Sequence, residues 1–522
     1  MRKDCKMFKK SLKRFIALTV ASGITVMSLA SYVPVSYAAG SSAENRTSSD
    51  KTFDDGVLTY TIGDNYTVSV TGCVSTTVSV NITEKVDGYT VTSIGDGAFS
   101  NCTSLAGVTI PESVESLGEG VFYGCTSLQD IKIPSSIKEI PSGTFAYCTS
   151  LKEATLGSGV EKIDSMAFSY CSSLEKIEIP DTVTSIGDYA FMYCEGMKEI
   201  NIPKTVTSFT NGIFYGCSSL ESFTVYKELE DVGNYPFLGC KSLKTIDVED
   251  GNKNYISENG VLFSADKKLL VAYPCGNGEK SYTVPDEVEE IASSAFFDNG
   301  NIEEVTFGSG LKYIDEGVFD FCSSIKSVSI PSNVVEIKDN AFSDCTGLEE
   351  VTLPEGLETV GQYAFYNCEN LKSVTIPESV TSIGDYAFGF LQSEDETDDD
   401  GNYVSNKDDS FSIYGYSTSK AKKYASKSNI KFVSMNVDLT KIVSLIVCVA
   451  ALIVIMIFSV KAINKKKREE ELAELEEIKP EKKESEEPKE DKNDTEYVKI
   501  LDNGGIVHEM KGHSDTENDD DK

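Results

Sequence analysis

The chain has 522 residues, more than one ordinary globular core usually spans. Its net charge is −35, it has no tryptophan and two histidines, and 40 % of its residues are hydrophobic. The hydrophobic content excludes a chain that is disordered throughout. The acidity argues against nucleic acid as a partner, because phosphate repels such a surface.

Residues 1–38 have the pattern of a secretory signal peptide. Seven Lys and Arg residues within positions 2–14 precede an apolar stretch from Phe15 to about Ala30. Ser36-Tyr37-Ala38 then fits the small-residue rule for a cleavage site. We expect this segment to be removed after export; the alternative is an uncleaved anchor.

Phenylalanine recurs at a fixed interval of 23 residues through most of the chain. The two series are Phe99, Phe122, Phe145, Phe168, Phe191, Phe214 and Phe237, and then Phe296, Phe319, Phe342, Phe365 and Phe388. A constant period of this length indicates a solenoid, in which no coil buries its apolar groups alone and stacked coils form one core.

One repeat unit reads FYNCENLKSVTIPESVTSIGDYA and shows how a coil is built. Val374 and Ile376 alternate with polar residues, as on a half-buried strand. Pro377 ends that strand because it has no N–H for the ladder. Residues 380–383 predict a second apolar corner, and 387–388 begin a short helical or irregular segment.

Ten cysteines follow a repeat phenylalanine by three residues: Cys102, Cys125, Cys148, Cys171, Cys194, Cys217, Cys240, Cys322, Cys345 and Cys368. Stacked strands lie about 4.8 Å apart, so these thiols should be neighbours, but their parallel Cβ directions do not allow disulfides. We expect buried, reduced thiols that donate weakly to neighbouring backbone. Zinc is the alternative, although a linear row without a nearby histidine is unlike a tetrahedral site.

The pattern AF..C.SL..V.IP..V..IG resembles the BspA-like family of bacterial leucine-rich repeats, over about residues 53–433. We therefore expect a strand-rich α/β fold, a right-handed leucine-rich-repeat solenoid of 23-residue coils. Asn299 and Leu391 depart from the pattern, because they replace the recurring cysteine.

The resemblance also implies capping segments around the repeats. Asp54–Gly72 is similar to a β-rich N-terminal cap, Asn259–Pro274 to a hairpin island with a turn at 265–267, and Phe411–Val433 to a closing cap with a short helix near Ser419–Ser426. The expected domains are an N-terminal cap at 39–92, repeats at 93–250, the hairpin island at 251–285, repeats at 286–391, an acidic insert at 392–410 and the closing cap at 411–435.

The C-terminal part predicts one transmembrane helix, at 439–460. Ile442–Val460 is 19 residues long without a charge, close to the roughly 20 residues that cross a bilayer. Basic residues follow immediately at 461 and 465–468, and such residues stay on the cytoplasmic side. We expect the N-terminal part outside the cell, held by a single-pass anchor, and a charged cytoplasmic tail at 461–522.

Most of the acidity belongs to the part expected outside the cell. Residues 39–438 contain 27 basic and 61 acidic residues. Solubility of a long surface protein explains this charge most simply, and calcium binding or attraction of basic partners are the alternatives. Within the insert, Asp398 and Asp400 are faintly similar to a calcium loop, but Lys407 stands where that loop needs a glutamate.

Catalytic patterns are absent from the sequence. Both histidines, His508 and His513, lie in the tail, so histidine-dependent catalysis and histidine metal sites are excluded from the exported part. A pair of carboxylates would still suffice for a glycosidase, but no pair stands out among so many acids. We expect no enzyme activity, no cofactor and no metal site.

Tyr147, Tyr170 and Tyr193 occur at the same position of three successive coils and predict an aromatic row beside the thiols. Tyrosine is favoured in binding patches, so these are the candidate ligand-binding residues; the alternative is that they only cover the edge of the coils. The family resemblance implies adhesion or protein–protein interaction at the cell surface, with an extracellular protein or glycan as ligand. A carbohydrate- or wall-glycan-binding module, a carboxylate-dependent wall hydrolase and signalling through the tail are the alternatives.

Overall fold

The computed structural model describes residues 52–397, 403–435 and 439–477. The chain divides into two compact units, Met1–Asn436 and Val437–Lys522. The predicted signal peptide, the centre of the acidic insert with Asp398 and Asp400, and the tail beyond 477 with both histidines lie outside the described residues.

A β-sheet precedes the coils at the N-terminus. Its strands are β1 (Thr52–Asp54), β2 (Leu58–Ile62), β3 (Thr67–Cys73), β5 (Lys85–Val86) and β6 (Tyr89–Ile94). The strand β4 (Ser79–Asn81) lies between β3 and β5 in the chain but outside this sheet. β1, β2 and β3 form an antiparallel meander, β6 joins β3 in parallel, and β5 pairs with the other edge of β6. Val68 and Val70 on β3 are buried and their neighbours are half-exposed, because successive strand residues face opposite sides.

Most coils contain two short strands, and equivalent strands of successive coils lie side by side in parallel. The first strands of the coils form the first strand row, and the second strands form the second strand row. Before the hairpin the pairs are β7 (Gly107–Thr109) and β8 (Ser116–Leu117), β9 (Asp130–Lys132) and β10 (Glu139–Ile140), β11 (Glu153–Thr155) and β12 (Lys162–Ile163), and β13 (Lys176–Glu178) and β14 (Ser185–Ile186). Two later coils contribute β15 (Ser222–Val225) and β16 (Thr245–Val248) to the first strand row. The N-terminal sheet continues into the second row, since β8 pairs with β6, and the separate strand β4 pairs with β7 of the first row.

A hairpin interrupts the coils where the phenylalanine period is broken. It consists of β17 (Tyr255–Glu258), β18 (Val261–Ser264) and β19 (Leu269–Ala272) in antiparallel order. The Asp266 carboxylate accepts hydrogen bonds from the Ser264 hydroxyl at 2.7 Å and from the Lys268 N–H at 3.1 Å, which closes the predicted turn. β19 then pairs in parallel with the next coil, so the hairpin belongs to the second strand row.

The coils resume after the hairpin with the same pairs of strands. They are β20 (Ser281–Thr283) and β21 (Glu290–Ile291), β22 (Glu304–Thr306) and β23 (Tyr313–Ile314), β24 (Ser327–Ser329) and β25 (Glu336–Ile337), β26 (Glu350–Thr352) and β27 (Thr359–Val360), and β28 (Ser373–Thr375) and β29 (Ser382–Ile383). Paired residues on neighbouring coils differ by 23 in number, for example Glu304 and Ser327. The strand-rich leucine-rich-repeat solenoid predicted from the period is therefore confirmed.

The second strand row was not predicted from the sequence. Ser382 and Ile383 form a short strand where the pattern indicated only an apolar corner. Residues 387–388 are irregular, with a bend at Phe388, so the irregular alternative of the prediction is found and the helical one is not. Each strand of this row has only two residues, too few to show an alternation in the sequence.

Stacked phenylalanine rings form the centre of the solenoid. Neighbouring rings from Phe99 to Phe237 lie 5.0 to 6.2 Å apart between centroids, and those from Phe296 to Phe388 lie 4.8 to 5.1 Å apart. Tyr273 of the hairpin segment stacks on Phe296 at 4.7 Å and continues the row. The buried residues form two main clusters, which meet at the hairpin.

The C-terminal end of the solenoid consists of a hairpin and a closing cap. The flanks of the acidic insert form an antiparallel hairpin, β30 (Phe390–Thr397) and β31 (Tyr403–Lys407). The chain then forms β32 (Ser412–Gly415), α1 (Lys420–Lys427) and β33 (Lys431–Ser434), and β32 pairs with β28 and β33. The short helix expected near Ser419–Ser426 is found at Lys420–Lys427, one residue later at each end.

The second unit contains one helix, α2 (Leu439–Glu477), among its described residues. Within its segment Ile446–Glu470, a window of 18 residues has a mean hydropathy of 2.8, and the helix is long and apolar enough to cross a membrane. The helix continues without a break from this segment to Glu477.

Candidate binding surfaces

The recurring cysteines form a continuous row of hydrogen bonds. Nine thiols donate to the carbonyl oxygen of the phenylalanine 26 positions earlier, at Sγ–O distances of 3.0 to 3.3 Å. All ten recurring cysteines are buried and free. The prediction of a buried, reduced row is confirmed. Its role is structural, because each thiol links its coil to a phenylalanine carbonyl of the preceding coil, and most of these carbonyls also accept a backbone N–H, as Phe122 does from Cys125.

Burial makes these thiols poor nucleophiles. It raises the pKa of Cys125 and of Cys217 to about 12, and it raises the pKa of the other thiols from Cys148 to Cys368 in the same direction. A thiol that must also donate its hydrogen is kept protonated at neutral pH. The row therefore offers no reactive group to a substrate.

Two cysteines that are isolated in the sequence join this row. Cys275 is buried and donates to the Asp298 carbonyl at 3.1 Å. Cys73, at the end of β3, lies beside Cys102, and the hydrogen bond from Cys102 holds the pKa of the Cys73 thiol below its usual value. Neither contact has a local sequence signal, because each depends on how a cap or hairpin stacks against the coils.

The thiol row predicts a specific order of chemical reactivity. With iodoacetamide at neutral pH, Cys73 should be alkylated before Cys171 or Cys194, since thiolate is the reactive form. Peptide mass spectrometry of the natively folded chain measures this order, and the chain unfolded in guanidinium provides the fully labelled control. Alkylation of Cys171 ahead of Cys73 would contradict the assigned hydrogen bonds.

Tyrosines form a second row beside the thiols, and it is longer than expected. Tyr147 and Tyr170 stack at 4.5 Å, and Tyr170 and Tyr193 lie 4.8 Å apart. Tyr123 and Tyr215 extend the row edge-on at 5.4 and 5.2 Å. These two were missed because they lie one residue earlier in their coils, where a glycine takes the position that tyrosine has in the others.

The structure brings the three predicted tyrosines together but exposes them unequally. Tyr147 and Tyr170 are half-buried, whereas Tyr193 is only 4 % exposed. Tyr193 packs with Tyr189, Tyr215 and Leu238 in a small apolar cluster of its own, outside the main core. Tyr147 and Tyr170 are therefore accessible to a ligand, and Tyr193 is mainly part of the packing.

The first strand row carries exposed charges that pair between coils. Lys176 contacts Glu153 of the preceding coil at 3.2 Å and Glu178 of its own strand at 2.6 Å. Such exposed pairs contribute little to stability, because water and salt screen them. Within residues 52–397, 403–435 and 439–477, no group of three His, Cys, Asp or Glu side chains is arranged to hold a metal ion.

A cleft of about 260 Å³ opens where the coils before and after the hairpin meet. Its walls include Tyr235 and Leu238 from the last coil before the hairpin, and Glu290, Phe297 and Asp315 from the coils after it. Sequence analysis did not find this cleft, because its walls are as many as 80 residues apart in the chain.

Comparisons with known proteins agree with this architecture. The family profile described as BspA type leucine rich repeat region matches in six copies, over residues 77–198, 161–267 and 273–393. A leucine rich cell surface protein from Faecalibacterium prausnitzii is similar in structure, with 27 % identity, a TM-score of 0.53 and coverage of 65 % of this chain and 96 % of that one. The pneumococcal vaccine antigen PcpA has 21 % identity, a TM-score of 0.50 and coverage of 74 % and 99 %, which supports the fold alone. A search of curated proteins finds no match.

Proposed function

The chain belongs to the BspA-type leucine-rich repeat family, and we propose that it is a non-catalytic cell-surface protein that binds an extracellular protein and so mediates adhesion. The observation that carries this proposal is the solenoid itself. Coils in a 23-residue register repeat each exposed position at regular spacing, for example Glu304 and Ser327 on the first strand row. Such a surface is suited to broad contact with a partner.

The proposed location is the cell membrane, with the solenoid outside and residues 461–522 in the cytoplasm. Support comes from the apolar segment of α2 and from the basic residues that follow it in the sequence. The similar protein from Faecalibacterium prausnitzii is described as a cell surface protein.

An adhesion assay tests the proposed function. Cells that display the full chain, and matched cells that lack it, are applied to immobilised matrix proteins, host-cell proteins, wall polymers and glycans at physiological salt. We expect saturable attachment to at least one protein only for cells that display the chain. Attachment that is equal for both cell types on every protein would contradict the proposal. Hydrolysis of peptidoglycan or polysaccharide by the purified chain would contradict its non-catalytic part.

A second candidate function, glycan binding, is favoured by the tyrosine row. Half-buried aromatic rings that are stacked by their neighbours offer edges and hydroxyl groups to a sugar with little loss of side-chain entropy. Tyr147 and Tyr170 have this arrangement, and their separation of 4.5 Å places both rings within reach of one ligand.

Replacing this tyrosine pair tests the second candidate. We expect Tyr147→Ala/Tyr170→Ala to weaken glycan binding by at least about tenfold if the row is the site, as for aromatic residues at the centre of an interface. Tyr363→Ala/Tyr386→Ala is the matched control, since these rings also stack, at 5.2 Å, on a distant coil. Calorimetry with wall polysaccharide fragments measures the effect. Equal binding by the two double variants would remove the row as a glycan site.

A further inference from the structure

The cleft at the hairpin has aromatic walls on both sides. Tyr235 lies on the coil before the hairpin, is half-buried, and its side chain is hydrogen-bonded to Ser293 of the coil after it. Phe297 faces the cleft from the other side and packs against the small apolar cluster around Tyr193. The walls of the cleft therefore belong to the coils before and after the hairpin, which are in contact through these side chains.

Carboxylates outnumber cations along the same cleft. Glu290 and Asp315 line it. Burial raises the pKa of Tyr235, and the nearby carboxylate of Glu316 adds to this increase. Lys338 pairs with Asp315 at 2.8 Å and also interacts with Glu290. Burial raises the pKa of Glu316, and the neighbouring carboxylates of Asp315 and Asp339 add to this. The site thus has an excess of negative charge that another cation would relieve.

The surface beside the cleft presents an exposed aromatic side chain. Tyr313 on β23 is 40 % exposed and stands in register between Glu290 on β21 and Glu336 on β25. Val335, next to Glu336, is also an exposed large hydrophobic residue. Tyrosine is enriched at protein interfaces, where aromatic anchors carry much of the binding energy, and the two carboxylates beside Tyr313 favour a basic partner.

We infer that this face is the docking site for a protein partner that inserts an arginine or lysine side chain into the cleft. The inference rests on the proposed function, and it identifies where on the solenoid the protein partner binds. A basic side chain is attracted by the aromatic walls and by the excess of carboxylates over cations at once. The volume of 260 Å³ lies below the roughly 300–1,000 Å³ of typical small-molecule pockets, and it suits a single long side chain.

A small probe tests the cleft separately from any particular partner. Saturation-transfer NMR measures contact between the detergent-solubilised full chain and Nα-acetyl-arginine amide, with Nα-acetyl-glutamine amide and methyl β-glucoside as comparison probes. Three variants are compared with the wild type. Glu290→Gln/Asp315→Asn removes the carboxylates, Ala292→Phe fills the cleft without a change of charge, and Glu304→Gln/Glu350→Gln makes the same change of charge on the first strand row.

We expect a signal for the arginine probe that falls at least about fivefold in the first two variants and stays within about 1.5-fold in the third. Circular dichroism confirms that each variant is folded. No signal for the arginine probe, an equal loss in the control variant, or a glucoside signal that Ala292→Phe abolishes would overturn the inference.

The adhesion assay and the probe experiment fail in distinguishable ways. A protein ligand whose binding survives both cleft variants would leave the proposed function in place and overturn the docking site. Binding of the arginine probe in the cleft, without attachment of cells to any protein, would support the site and contradict adhesion.

Discussion

Phe168→Ala is expected to lower the free energy of unfolding by about 3–5 kcal/mol, the range for removing a fully buried phenylalanine ring. Phe168 is fully buried and stacks on Phe145 at 5.0 Å and on Phe191 at 5.7 Å. The coils on both sides hold the cavity walls apart, so the site has little freedom to collapse. Urea denaturation of the full chain, followed by far-ultraviolet circular dichroism, measures the change.

The matched control for this prediction is Phe168→Leu. Leucine keeps most of the apolar volume and loses mainly the stacking geometry, so the cost should be clearly smaller than that of alanine. An alanine variant as stable as the wild type would show that the phenylalanine stack does not hold the coils together.

Gly216→Ala is expected to be the second most damaging change, although it adds only one methyl group. Gly216 has a φ of +72°, which costs an alanine about 1–2 kcal/mol. The new Cβ would also collide with the ring of Tyr193, whose Cγ would lie 3.1 Å away. Tyr193 is buried against Tyr215 and has no room to retreat, so overpacking adds about 1–3 kcal/mol.

Gly239→Ala separates the two contributions to this effect. Gly239 has the same place in the next coil and a φ of +73°, but its Cβ would meet only backbone atoms of Gly216, at 3.4 Å and beyond. The control should therefore show the backbone cost alone. Equal melting temperatures for the two alanine variants would mean that Tyr193 does not pack over Gly216 as described.

The core of the solenoid was predictable because its signal is repeated. A phenylalanine and a cysteine recur every 23 residues, so the sequence alone predicts both the ring stack and the thiol row. The structure adds the distances between neighbouring rings and between each thiol and its acceptor. The hairpin was predicted from the resemblance of Asn259–Pro274 to a segment of the family, and the structure contains it with its turn at Asp266. Because every coil repeats the same pattern, a coil that departs from it does not hide the pattern. A repeat protein is therefore easier to interpret from its sequence than a globular protein without repeats.

Features that depend on contacts between distant segments were not predictable. Cys275 joins the thiol row only because the hairpin segment stacks beside Asp298. The cleft forms only because the hairpin separates Tyr235 from Phe297, which belong to coils on either side of it. Neither residue type nor spacing carries this information, because the relevant neighbours are set by the stacking of whole coils.

The tyrosine row lies between these two cases. Its repetition in three coils predicted that Tyr147, Tyr170 and Tyr193 would meet, and they do. Their exposure was not predictable, because Tyr193 is covered by Tyr189, from its own turn, and by residues of the next two coils. A repeated position is thus a good guide to contact between coils and a poor guide to accessibility.

Hydrogen–deuterium exchange of the full chain, with and without the protein ligand that cell attachment identifies, tests the central claim most directly. We expect the ligand to slow exchange on adjacent coils of the solenoid, including the segments around Glu290 and Tyr313 that border the cleft. Slower exchange confined to residues 461–522, or no change anywhere in the solenoid at saturating ligand, would contradict the proposal that the coils are the binding surface.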